Sequence, residues 1–284
     1  MRDPERKAPP PVRNQNRNPS ANRNNGNTTN RPTKAGAAVR SRRRKLQRKR
    51  WRQKMLLILL GLLIFLVGVV LFAYPTFSQW YNAKDQSDVI AEYADHVDDM
   101  DDEEIEQELE RARAYNEDLI RVVATADPFQ DPTATDAEEY SAYGDLLNLT
   151  PEGVMGYIEI PAIHVYLPIY HGVSKDVLGI GVGHLPETSL PVGGPNTHAV
   201  LAGHSGMSNA RLFTDLSDLV KGDVFYIHVY NRTLTYTVDQ IKTVVPTDTK
   251  DLVIFPDQDY VTLVTCTPYG VNSHRLLVRG TRSE

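Results

Sequence analysis

The chain has one cysteine, Cys266, which closes the apolar run YVTLVTC beginning at Tyr260. A lone thiol cannot form a disulfide within the chain, so it is either buried for good or used for chemistry. Eight residues, TPYGVNSH, separate it from Arg275, which opens the run RLLVRG. If the two runs form an antiparallel hairpin, Cys266 and Arg275 flank its loop as an opposed pair. Opposed side chains share a face and have Cβ atoms about 4.5–5.5 Å apart. That sets a guanidinium beside a thiol, and a nearby cation favours the thiolate, the nucleophilic form.

Arginine does not deprotonate in proteins, so a second group must move protons. Seven histidines are candidates: His164, His171, His184, His198, His204, His228 and His274. The eighth, His96, lies in an acidic segment. His204 stands out because it follows the apolar run AVLAG and precedes SGMSNARLF, at the end of a strand as Cys266 is. His274, beside Arg275, and His184 are its rivals.

These residues need a frame. From about Pro151 the chain is a series of short runs rich in β-branched and aromatic residues. They are Met155–Ile160, Val165–Tyr170, Ala199–Ala202, Val224–Val229, Leu234–Val245, Tyr260–Cys266 and Leu276–Arg279, with turn residues between them. Seven or eight short strands predict a mainly β fold, a small closed or nearly closed barrel over residues 151–284. Asn209–Leu219 is the one helix-like insert. Residues 124–150 read as a loop and connection, because two Asp-Pro pairs break any helix there.

Before the loop, 15 carboxylates face two arginines between Asp85 and Asp118. Ile105, Leu109, Ala112, Tyr115/Asn116 and Leu119 recur at helical spacing, predicting one narrow apolar stripe. Asp101 and Asp102 precede Glu103 and Glu104, an acidic first turn that suits a helix dipole. The spacing of a calcium-binding EF-hand loop is absent. Residues 75–123 therefore read as an acidic helical segment laying its stripe on the folded domain.

The charge is divided along the chain. Residues 1–54 hold 18 of the 31 basic residues and only Asp3 and Glu5 as acids, whereas the remainder carries a large negative excess. The boundary is Met55–Ala73, 19 uncharged and mostly strongly apolar residues. At 1.5 Å per residue this spans about 28 Å, the hydrocarbon thickness of a bilayer. Residues 55–74 are thus predicted as a transmembrane anchor. A cleaved signal peptide would have a shorter basic region and a small-x-small site. Dense Lys/Arg before the span and Tyr74, Trp80 and Tyr81 after it place the N-terminus in the cytoplasm and the larger part outside. Residues 1–40 lack Leu, Ile, Phe, Trp and Tyr, so 1–54 reads as a disordered, basic cytoplasmic tail. Beside a membrane such a tail sets topology and meets anionic lipid, and no nucleic-acid partner is expected. No metal cluster or phosphate-binding Gly-rich motif is present, and no cofactor is expected. The composition excludes a disulfide scaffold, a cysteine-rich zinc module, an iron–sulfur protein and a multi-span membrane protein.

TLVTCTPYGVNSHRLLVRG, Thr262 to Gly280, resembles the signature of sortases, the cysteine transpeptidases of Gram-positive cell surfaces. GHLPETSLPVGG (183–194), HAVLAGHSGMSNARLFTDL (198–216) and the upstream Asp127-Pro128-Phe129 resemble the pilin-polymerising branch, class C. The resemblance runs from about Gln79 to the C-terminus. It implies a small closed sortase-type β-barrel of seven to eight strands with an N-terminal helical segment, a lid loop and one transmembrane helix. It also implies that Cys266 attacks the Thr–Gly carbonyl of an LPxTG-type sorting signal and carries the acyl group as a thioester. His204 becomes the proton carrier, and Arg275 positions the substrate and steadies the carbonyl oxygen. The acceptor is then a lysine amine of the next pilin subunit. In class C relatives a lid places an Asp on the catalytic Arg and an aromatic on the catalytic Cys; Asp127 and Phe129 match those positions.

Three other readings compete. A housekeeping sortase would pass the acyl group to a cell-wall precursor, and a cysteine peptidase would pass it to water. A membrane-tethered β-domain of a pilus would do neither. The resemblance has two departures: a long basic tail, and no second hydrophobic segment before Glu284, so that only the N-terminal span is expected to anchor the chain.

Overall fold

The structure, a computed structural model, describes residues 34–119, 127–129, 142–207 and 209–283. The chain divides into two units, Met1–Phe65 and Leu66–Glu284. The first is described only through the opening part of helix α1 (Lys34–Asp98). Residues 34–54, read from composition as disordered tail, are helical. Arg, Lys, Gln and Ala are strong helix formers, and the apolar run that follows supplies a helix for them to extend. α1 holds the one stretch among the described residues that is long and apolar enough to cross a membrane. Its large side chains from Met55 to Phe72 are exposed.

In the second unit, the end of α1 buries Ile90, Tyr93 and Val97. Helix α2 (Asp102–Leu119) starts on a reciprocal cap. Asp101 Oδ1 accepts from the Glu104 N–H at 2.9 Å, and Glu104 Oε2 accepts from the Asp101 N–H at 3.2 Å. α2 buries Ile105, Leu109, Ala112, Asn116 and Leu119, the stripe read from the sequence. Asn116 grips the Leu190 backbone, accepting from its N–H at 2.7 Å and donating to its carbonyl at 3.1 Å.

Eight strands follow: β1 (Val154–Ile160), β2 (Val165–His171), β3 (Val182–His184), β4 (Thr197–Ala202), β5 (Val224–Val229), β6 (Arg232–Val244), β7 (Asp259–Thr267) and β8 (His274–Arg282). They close in the order β1-β2-β3-β4-β7-β8-β6-β5, with β5 returning to β1. Two neighbouring pairs, β2–β3 and β4–β7, are parallel and the rest antiparallel. Alternate residues fill the interior, among them Ile158, Ile169, Leu201, Phe225, Leu263 and Val278. Gly280 lets the Phe225 ring cross the β8 backbone, where a Cβ would lie 2.5 Å from the ring.

β3 has no counterpart among the runs read from the sequence, because three residues with a central glycine carry no alternation signal. Helix α3 (Lys175–Ile180) was equally unheralded, although Ser174 caps it by accepting from the Val177 N–H. The helix expected over Asn209–Leu219 is instead a series of turns with a 3₁₀ turn at Leu216–Asp218. Leu212 has φ +40, which ends helical continuation, and nearby backbone groups bond to the His204 loop instead.

Candidate active site

The parallel pairing of β4 with β7 is what builds the site. Ala202 lies beside Val264 in the register, so two residues further along, His204, just past the end of β4, and Cys266, near the end of β7, come to the same edge of the sheet. The antiparallel β7–β8 ladder then sets Cys266 opposite Arg275. The three residues come from the ends of three adjacent strands.

Bonds to backbone groups fix this edge. The Gly203 N–H donates to Val264 O at 3.0 Å, and Thr265 Oγ1 donates to Gly203 O at 2.7 Å. Ser205 Oγ donates to the Cys266 carbonyl at 2.7 Å, and the Phe213 N–H donates to His204 O at 3.0 Å. The residues on either side of His204 are therefore stitched to β7. Ser205 and Thr265 were missed in the sequence. Their hydroxyls were visible, but only a parallel pairing of β4 with β7 brings them within reach.

Cys266 shares its face of β7 with Thr262 and Val264, outside the barrel. There a second apolar cluster uses Val200, Ala202, Val264 and Leu277 as its floor, with Val173, Leu178, Leu185 and Leu252 packed over it. Phe129 packs against this cluster. Its ring centroid is 5.5 Å from that of His204, and the Arg275 guanidinium carbon lies 5.1 Å away. Asp127 takes the guanidinium bidentately: Arg275 Nε donates to Oδ1 at 2.9 Å and Nη2 to Oδ2 at 2.7 Å. The Phe129 N–H also donates to Asp127 Oδ1 at 3.3 Å. Arg275 Nη1 donates to the carbonyls of Asn272 and His274, both at 3.1 Å. The Arg275 and Asp127 side chains are only 9% and 4% exposed, so this is a buried ion pair. The rest of the expected lid, residues 124–126 and 130–141, lies outside the described residues.

Electrostatics at the rim follow from burial. Desolvation pushes the Cys266 thiol above its ordinary range; Arg275 pulls it down and Asp127 pushes it up. Desolvation lowers His204. A neutral thiol beside a neutral imidazole is the favoured state with Asp127 and Phe129 in place. Arg275 alone would favour thiolate, as its position beside the cysteine suggests. Burial outweighs that pull, and the carboxylate on the same guanidinium opposes it further. Burial is the largest single influence on Arg275 and works against its charge, but the bond to Asp127 together with the fields of Cys266 and Asp127 outweighs it.

The other histidines have structural surroundings. His184 is fully buried between the Tyr143 hydroxyl at 2.8 Å and Ser189 O at 2.8 Å, and desolvation pushes it to about 3. His198 bonds Val253 O and Thr262 Oγ1, both at 2.7 Å, and desolvation pushes it to about 4. His171 sits between the carbonyls of Gly153 and Leu146. His228 stacks on Tyr157 at 4.3 Å. His164 occupies a left-handed turn position, and exposed His96 bonds Glu92 O on α1. His274 pairs with Thr267, so its side chain points to the face opposite that of Arg275.

Residues 158–283 match the model of the sortase domain. Sortase A of Bacillus anthracis is 28% identical over 222 residues, covering 78% of this chain and 92% of that protein. Among solved structures, sortase C-1 of Actinomyces oris is 49% identical with a TM-score of 0.62, covering 64% of this chain and 99% of that one. Sortase C1 of Streptococcus agalactiae is 44% identical with a TM-score of 0.64, covering 69% and 98%. Sortase C of Streptococcus pneumoniae is 44% identical with a TM-score of 0.62, covering 69% and 97%. With class C sortases as its structural neighbours, this chain belongs to the sortase family of cysteine transpeptidases.

Proposed function

We propose that the protein is a membrane-anchored pilin polymerase in which Cys266 is the nucleophile, His204 the proton carrier and Arg275 the electrophilic clamp. One observation carries this reading: a carboxylate and an apolar ring, those of Asp127 and Phe129, sit on Arg275 and His204 at the edge that bears Cys266, as a substrate would. The kinship with class C enzymes supports a pilin as substrate, since the pneumococcal sortase C structure bears on pilin substrate specificity.

The reaction begins when Asp127 and Phe129 leave. An LPxTG-type signal then lies on the apolar cluster outside β4, β7 and β8, with its Thr–Gly carbonyl at Cys266. Water and substrate reach the rim and Asp127 no longer neutralises Arg275, so the thiol becomes easier to ionise. Sulfur attacks the carbonyl carbon while the freed guanidinium donates to the oxygen that gains charge. His204, holding the proton from sulfur, gives it to the departing glycine amine, leaving a thioester on Cys266. A pilin lysine amine then attacks the thioester, and His204 returns a proton to sulfur. Basic residues before the apolar stretch of α1 hold the N-terminus in the cytoplasm and put the barrel outside.

The test uses the full chain in detergent with Asp127→Ala and Phe129→Ala, mixed with an LPxTG-containing peptide and analysed by intact mass. The expected product is the peptide's acyl fragment on Cys266, lost in Cys266→Ala and in His204→Ala. An unmodified enzyme after prolonged incubation would refute the proposal.

A further inference from the structure

The β7–β8 turn carries two large apolar side chains in the open, Tyr269 and Val271, which are 70% and 69% exposed. The turn that bears them is nevertheless well bonded. The N–H groups of Val271 and Asn272 both donate to Pro268 O at 3.0 Å, and the Asn272 carbonyl accepts from Arg275 Nη1 at 3.1 Å. The Tyr269 ring leans on Gly206, two residues after His204. A Cβ at Gly206 would come within 2.9 Å of the ring, and its φ of +78 also suits glycine. The Gly206 N–H is held by Thr214 Oγ1 at 3.1 Å. One edge of a rigid aromatic is thus seated on the His204 loop, and the rest faces solvent in the turn that joins Cys266 to Arg275.

From this we infer that Tyr269 is the acceptor-binding residue, receiving the stem of the incoming lysine. The inference rests on the functional reading above. The apolar cluster outside β4, β7 and β8 is already covered by Phe129 and is where the sorting signal goes. The amine must reach both the thioester on Cys266 and the imidazole of His204, and among the described residues the side left for it is the turn. A lysine carries its ammonium on four methylenes, and such stems lie readily on apolar surface. A tyrosine ring also attracts the cation as it approaches. In the transfer the C–S bond breaks as the C–N bond forms. Of the two protons the ammonium loses, one goes to solvent and one passes through His204 to the departing sulfur.

The experiment measures how the acyl-enzyme divides between aminolysis and hydrolysis, using the full chain in detergent with the Asp127→Ala and Phe129→Ala background. The acceptors are Nα-acetyl-lysine amide, which has the stem, and hydroxylamine, which lacks it. Tyr269→Ala should lower the aminolysis-to-hydrolysis ratio about fivefold for subsaturating lysine amide, matching roughly 1 kcal/mol of exposed cation–ring contact. The ratio with hydroxylamine should stay the same, and Tyr269→Phe should keep the lysine ratio. An unchanged lysine ratio in Tyr269→Ala, or an equal fall for both amines, overturns the inference while leaving the functional reading intact. Absence of any acyl-enzyme on Cys266 in the parent overturns both.

Discussion

Replacing Asp127 and Phe129 with alanine should expose Cys266 to reagents. The closed arrangement rests on two contacts. The bidentate Arg275–Asp127 pair is buried, but opening returns both ions to water, so its net worth is about 1–2 kcal/mol rather than its gross strength. The Phe129 ring adds its packing on the apolar cluster and its contact with the guanidinium, about 1–2 kcal/mol more. A total near 3 kcal/mol makes the closed state about 100-fold more populated than the open one. The assay is alkylation of the only cysteine by iodoacetamide, followed by intact mass across a pH series. Two features of the rate profile separate access from ionisation. The plateau at high pH should rise about 100-fold in the double variant. The midpoint should move to lower pH, because burial and Asp127 both raise the thiol and Arg275 lowers it. A plateau within threefold of the parent would show that neither residue guards the thiol.

Further perturbations address other parts of the frame. Ser205→Ala removes the hydroxyl bond to the Cys266 carbonyl; kcat for peptide transfer should fall about tenfold while KM for the peptide holds, and an equal rise in KM would refute a positioning role. Arg275→Lys cannot reproduce the fork on Asp127, so alkylation should speed up while transpeptidation falls at least 100-fold, measured on the same sample. His198 protonates at about 4 when folded against 6.5 when free. The unfolded chain therefore binds more protons between those values, and stability present above pH 6.5 should drain as pH falls towards 4, by about 3 kcal/mol. Thermal melts from pH 7 to pH 4 should steepen this loss in the parent and flatten it in His198→Gln; parallel curves would refute the assignment.

The barrel was legible where strands were long. β5 matches its run in the sequence, and β1, β2 and β7 match to within a residue at either end, because alternation over six or more residues survives tertiary packing. The α2 stripe was readable for the same reason, down to the buried Asn116. β3, α3 and the turns over 209–219 were not, since short elements are held by capping and long-range bonds more than by periodicity. At the rim, the opposition of Cys266 and Arg275 followed from loop length alone. His204 was preferred over His184 and His274 from its place at a strand end and from the resemblance; periodicity does not carry the parallel pairing that takes β4 and β7 to one edge. The resting state of the thiol was not legible, because burial, the largest influence on it, appears in no run of residues, and Asp127, which adds to it, is 148 residues from Arg275 in sequence.

The parallel contact between β4 and β7 also governs timing. Ser205 and Cys266 are 61 residues apart, and β5 and β6, which lie between them in the chain, pair on the other side of the barrel. A chain stalled half-folded, before β4 and β7 pair, holds a solitary sulfhydryl without its imidazole in place. Competence to join proteins thus appears only with the last strands in place, so immature copies cannot capture passing polypeptides.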